Sequence, residues 1–202
     1  MSLHESGAFL YPGTGFIDEV GEGDGYGYAV NVPLNPHSDD ASYLHAAETL
    51  LPALAEAFRP DVVVLQAGCD AHVLDPLTHL RCTTSMYETL VRLVGGIADR
   101  HCNGRIIATG GGGYAVHAVV PRAWTLVWSA LCDVAAPERV RDDWLAAVMA
   151  EAGTMIPATL RDPPGAFERS PLSVAAEETN RRTVDAVRRR SLPLLTGWGL
   201  GF

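Results

Sequence analysis

Two short apolar runs, each ending in glycine and a single polar group, constrain this chain more than anything else in it. Val62-Val63-Val64-Leu65-Gln66-Ala67-Gly68 leads into Cys69-Asp70, and Arg105-Ile106-Ile107-Ala108-Thr109 leads through Gly110-Gly111-Gly112-Gly113 into Tyr114. Continuous apolarity over so few residues predicts strands buried on both faces of a parallel sheet. Open α/β sheets bind ligands beyond the carboxyl ends of their strands. Asp70 and Tyr114 are therefore predicted to reach one edge, where a carboxylate suits a metal ion and a phenol suits an oxyanion.

The segments around these runs predict an α/β chain. Residues up to about Gly27 are glycine-rich and read as an ordered loop, and Tyr28 to Val32 reads as a strand ended by Pro33. Asp39 or Asp40 can cap a helix with Tyr43, Leu44, Ala47, Leu51, Leu54 and Phe58 on one face, ending at Pro60. Thr83 or Thr84 can cap a second helix through Met86, Leu90, Leu93, Val94 and Ile97. Pro121 fits the first turn of a third, which sets Trp124 and Trp128 on one face. Two further helices, Asp142 to Ala152 and Ser173 to Arg190, flank a loop at Asp162-Pro163-Pro164-Gly165. Strands alternating with helices predict a parallel sheet, over residues 1–135, and a helical extension over 136–202.

Composition narrows the partners. A formal charge of −9 argues against a general nucleic-acid binder, although it leaves room for a basic partner. Cys69, Cys82, Cys102 and Cys132 form no C-x-x-C pair, so they read as reduced and mostly buried, in a cytoplasmic protein. No apolar run approaches the ~20 residues that cross a bilayer, and no signal peptide is evident.

Taken singly, the polar residues have ordinary readings. Asp70 suits a turn or a helix cap, Tyr114 a half-buried aromatic, and Asp75-Pro76 a turn. Four consecutive glycines mark either backbone crowding or a site wall. His72 and His79 are candidate metal partners for Asp70; His37, His45, His101 and His117 read as solvated surface.

In order along the chain, however, the pieces resemble the zinc-dependent histone deacetylase family, its bacterial acetoin-utilisation branch above all. The stretches that carry the resemblance are Ser2-Leu3-His4-Glu5, Tyr11-Pro12-Gly13-Thr14-Gly15, Gly21-Glu22-Gly23, Tyr28 to Pro33, Val64 to His72, Asp75-Pro76-Leu77 and Gly110 to Tyr114. Val120-Pro121-Arg122-Ala123-Trp124-Thr125 points to the acetoin branch. The resemblance implies the three-layer α/β/α arginase/deacetylase fold with a mainly parallel sheet, of which this chain is the carboxyl-terminal portion. It also implies a reaction, hydrolysis of N-acetyl-lysine on a protein to lysine and acetate. An acetylpolyamine amidohydrolase, acting on a small acetylated amine, and a non-catalytic remnant that binds a partner are the alternatives.

The same resemblance implies roles. Asp70 matches a zinc ligand, and Tyr114 the phenol that donates to the oxyanion. Tyr11, Leu77 and Gly112 match parts of the tunnel that takes the acyl-lysine stem. Ser2 and Leu3 match contacts to a structural potassium ion, and Tyr28 falls at a second cation position. The family draws its other zinc ligands from an Asp-x-His strand and its base from a histidine pair, both upstream of the Ser-Leu-His stretch. No Asp-x-His lies within a strand of this sequence, and it contains no His-His pair. The expectation is a truncated chain, from a misplaced start or a split gene, that needs a separate amino-terminal half to bind zinc and turn over substrate.

Overall fold

A computed structural model describes residues 1–197; the last residues of the expected extension, 198–202, lie outside the described residues. Four strands, β1 (Ser2–Glu5), β2 (Asn31–Leu34), β3 (Val63–Ala67) and β4 (Ile106–Gly110), alternate with helices α1 (Asp40–Phe58) and α2 (Thr84–Cys102). Helices α3 (Val120–Leu131), α4 (Asp142–Ala152) and α5 (Pro171–Gly197) follow. Among the described residues the strands form two parallel pairs, β1 with β2 and β3 with β4. This is the parallel α/β architecture that the alternation predicts.

Two details of the strand reading are corrected. Ser2–Glu5 is a strand, not part of a loop, because its register against β2 pairs Ser2 with Asn31 and Glu5 with Leu34. The second strand begins at Asn31 rather than Tyr28 and runs through Pro33. Proline is tolerated there because β2 has one strand neighbour, and its missing N–H falls on the other side.

The helices follow their caps. Asp39 accepts the Ser42 N–H at the start of α1, and Arg59 closes that helix in the left-handed region at φ 53°. Thr83 makes no such side-chain cap for α2; its hydroxyl donates instead to Asp40 on α1, at 2.6 Å. Val32, Leu34, Ala46, Leu50, Met86, Val91, Ala123, Val184 and Val187 join one core, so the charged helix α5 closes it from outside. Asn180 on α5 accepts the Asn35 N–H at 3.0 Å and donates to Ser38 at 2.6 Å, which ties the tail to the end of β2.

The two founding runs are not buried on both faces. Val64 is 67% exposed and Ile107 55% exposed, while Ala67 is buried. Helix α2 packs on β3, while among the described residues Ile107 to Gly110 of β4 stay exposed on both faces of that strand. Among the described residues no helix is long and apolar enough to cross a membrane.

Candidate active site

The ends of β3 and β4 come together through backbone. The Cys69 N–H donates to the Gly112 carbonyl at 2.6 Å, so the two turns run side by side. Glycine is required where they touch. A Cβ on Gly112 would stand 2.2 Å from Asp70 Oδ2, and one on Gly111 2.9 Å from the Gly68 backbone. Trp124 lies over Gly110, and its indole N–H donates to the Ala67 carbonyl at 2.8 Å. On residue type the glycine run marks either backbone crowding or a site wall; at Gly112 the crowding atom is the Asp70 carboxylate.

Asp70 is half-buried at the carboxyl end of β3 and, among the described residues, its carboxylate accepts no hydrogen bond from another side chain. Burial pushes its pKa up, and the nearby Asp75 charge adds to the rise. Asp70 and Gly112 line a cavity of about 730 Å³ whose walls include Ser2 and Leu3 of β1, Val63 and Leu65 of β3, and Tyr87 of α2. Tyr87 is buried, and among the described residues its hydroxyl has no partner. Tyr43 on α1 donates to the Leu3 carbonyl at 3.3 Å.

Asp75-Pro76 reads as a turn in the sequence, and in the structure the Asp75 carboxylate ties that turn to the loop after β4. This buried carboxylate accepts the N–H groups of Leu77 at 2.9 Å, Tyr114 at 2.7 Å and Ala115 at 3.3 Å. Leu77 and Tyr114 are thereby fixed by backbone while both side chains stay exposed. The signal in the sequence was Asp followed by Pro at a strand-end loop, which says turn but not which distant amides the carboxylate meets.

The histidines near Asp70 do not join it. His72 is fully buried and turns to Asp162, 2.8 Å from its Nε2. His79 pairs with Glu5 at 2.8 Å and also donates its backbone N–H there. Tyr11 is exposed and borders a smaller cavity of about 290 Å³ with Ser2 and His4. Tyr28 packs edge-on against Phe58, ring centroids 6.0 Å apart. The structure thus gathers Asp70, Gly112, Ser2 and Leu3 at one cavity and joins Leu77 to Tyr114 through Asp75, while Tyr11 and Tyr28 do not line that cavity. A larger cavity, about 800 Å³ and lined by Trp124, Trp128 and Trp144, lies between α3 and α4, away from Asp70.

A histone deacetylase domain model matches residues 1–131. The chain belongs to the histone deacetylase family. It is 39% identical over 184 residues to the acetoin utilization protein AcuC of Bacillus subtilis (strain 168), covering 91% of this chain and 48% of that protein. It is 47% identical over 133 residues to the protein of the same name from Staphylococcus aureus (strain Mu50), covering 65% of this chain and 34% of that one. Among solved structures, a histone deacetylase homologue from Aquifex aeolicus superposes with a TM-score of 0.71 at 29% identity, over 89% of this chain and 49% of that one. The likeness supports the arginase/deacetylase fold. The chain spans about half the length of the curated relatives it matches, or less.

Zinc, which the family resemblance implies, does not fit the described residues by themselves. Among them, no group of three or more His, Cys, Asp or Glu is arranged to hold a metal ion. Catalytic zinc takes three protein ligands, and Asp70 offers one hard oxygen donor.

Proposed function

We propose that this chain carries the Asp70–Tyr114 part of a zinc-dependent lysine deacetylase site, which splits the amide of N-acetyl-lysine on a protein into lysine and acetate. The supporting observation is the placing of Asp70. It is a half-buried carboxylate without a side-chain partner among the described residues, at the carboxyl end of a parallel strand, facing a cavity walled by β1 and β3. A carboxylate so placed costs stability and is typical of a functional edge rather than of a core.

Asp70 is the single zinc ligand this chain would bring, and the other ligands and the base belong to residues outside it. Tyr114, whose backbone Asp75 fixes, would donate its phenol to the carbonyl oxygen as the tetrahedral oxyanion forms. One such donor is typically worth roughly 10²–10³ in rate. Leu77, Tyr11 and Gly112 are the proposed walls for the acyl-lysine stem. Potassium near Ser2 and Leu3, with a second cation near Tyr28, belongs to the same reading. The −9 charge favours encounter with lysine-rich partners.

The test is complementation. The chain is mixed with the amino-terminal half of the Bacillus subtilis relative, then assayed for bound zinc and for release of acetate from an acetyl-lysine peptide and from acetylated spermidine. The expected result is one zinc per complex and hydrolysis of the peptide, both lost in Asp70→Asn, with neither seen for the chain alone. Zinc and turnover that survive Asp70→Asn would overturn the assignment. Hydrolysis of acetylated spermidine alone would replace the substrate class.

A further inference from the structure

We infer that Asp162, which lies beyond the segment matched by the family model, is a positioning residue for the Asp70–Tyr114 edge and acts through His72. In the sequence Asp162-Pro163-Pro164-Gly165 reads as a loop between two helices. The structure buries Asp162 instead and surrounds its carboxylate with donors. His72 Nε2 and the Thr84 N–H both lie 2.8 Å from Oδ2, and the Arg122 guanidinium lies 2.6 Å from Oδ1. Arg122 also donates to the Thr159 carbonyl at 2.6 Å, so the residue that balances the charge is itself held by the tail.

The exchange with α2 is reciprocal. The Asp162 N–H donates to Thr84 Oγ at 2.8 Å while the Thr84 N–H donates to the Asp162 carboxylate. Asp162 therefore does for α2 what the Thr83 side chain does not, placing an anion on the free N–H groups of the first turn. That much would be a structural role only.

His72 extends it to the edge. The carboxylate accepts the hydrogen of Nε2, and a backbone N–H directed at Nδ1 needs that nitrogen as an acceptor, which together select the neutral ring with its hydrogen on Nε2. The Leu74 N–H takes that acceptor at 3.1 Å. The Asp75 N–H then donates to the His72 carbonyl at 2.8 Å, and the Asp75 carboxylate holds Leu77 and Tyr114. Phe167, also from the tail, stands edge-on to the His72 ring at 5.8 Å and 87°. An unbroken set of contacts thus runs from the tail through His72 and Asp75 to the Tyr114 backbone. It needs no assumption about which reaction the edge serves.

The experiment uses the full chain without metal. Nitrogen-15 NMR of the unmutated chain reports which imidazole nitrogen of His72 carries the hydrogen, and amide hydrogen exchange is followed at Leu74, Leu77 and Tyr114. The expected result is hydrogen on Nε2. Asp162→Asn should mix the two tautomers and speed exchange at all three amides at least tenfold. His72→Gln should speed the same amides while the first turn of α2, still held by Asp162, keeps its protection. A His72 with its hydrogen on Nδ1 in the unmutated chain overturns the inference even if Asp162→Asn does not fold. So does an Asp162→Asn chain in which only the first turn of α2 loosens. Neither outcome touches the deacetylase reading, which stands or falls on zinc and turnover.

Discussion

The Asp75 carboxylate accepts the Tyr114 N–H at 2.7 Å, so one side chain joins the loop after β3 to the loop after β4. Thirty-nine positions separate the two residues in the chain. The same carboxylate takes two more backbone donors, from Leu77 and Ala115, and is buried while doing so. The exposed phenol of Tyr114 and the exposed side chain of Leu77 thus stand on backbone that cannot drift. The contact joins two glycine-bearing turns.

Asp75→Ala is expected to unfold earlier and to free Tyr114. Each buried donor left without a partner costs roughly 1–3 kcal/mol. In a chain of this size each kcal/mol shifts the melting midpoint by roughly 2–4 °C. Calorimetry should show a fall of at least several degrees. Asp75→Asn, which keeps one carbonyl oxygen, should fall less. An Asp75→Ala chain that melts with the unmutated one would show that the carboxylate organises nothing.

Asp70→Asn is expected to stabilise the chain on its own at neutral pH. Burial raises the folded pKa of Asp70 above its unfolded value, with Asp75 adding to it. Its contribution to stability is therefore greatest below the unfolded pKa of about 3.9 and is lost as pH rises through the folded pKa. Urea midpoints measured from pH 4 to pH 8 should decline by less in Asp70→Asn than in the unmutated chain. Identical slopes for the two would mean that Asp70 carries no penalty and is an ordinary turn residue.

The fold was legible in the sequence because its signals are local. Asp39 caps α1, Pro121 opens α3, and Asp142 to Ala152 forms α4 within the expected bounds. β1 was missed because four residues with no alternation, beside a glycine-rich stretch, carry no period of their own; only pairing with β2 makes them a strand. The same distinction separates Asp70 from Asp75 and Asp162. Asp70 announces itself as the polar residue that ends an apolar run. Asp75 and Asp162 sit in proline turns, and their importance comes from donors 39 and 90 positions away, which no spacing rule can show. His72 is ambiguous for the complementary reason: D-x-H suits a shared ligand pair but is common by chance, and the loop turns the two side chains apart.

Acid should expose the role of Asp162. Burial by itself would raise its pKa, but hydrogen bonds from His72, Arg122 and the Thr84 N–H outweigh that and hold it well below the usual carboxylate range. A depressed pKa contributes stability that is complete above the unfolded value of about 3.9 and disappears as pH falls toward the folded one. The unmutated chain should lose stability steadily below about pH 4. Asp162→Asn should be weaker at pH 7 and should show a shallower acid slope. An acid slope unchanged by Asp162→Asn would place the titrating groups elsewhere.

The open face of β3–β4 is expected to make this chain self-associate. Val64 and Ile107 are paired residues of adjacent strands, aligned across the register and both more than half exposed. With Val62 beside them they form an apolar strip on a sheet that, among the described residues, has two strands and hence two free edges. Exposed edges next to apolar side chains are templates for pairing with another chain, and contiguous apolar surface adds to the attraction. The −9 charge opposes this only at long range, and salt screens it within about 8–10 Å. Sedimentation should therefore show mass rising with protein concentration, more steeply at high salt. Val64→Lys with Ile107→Lys should restore a monomeric mass without lowering the melting midpoint, because neither side chain is packed in the core. A monomer at all concentrations and salts, with no change in the double variant, would show that the strip is tolerated as it stands.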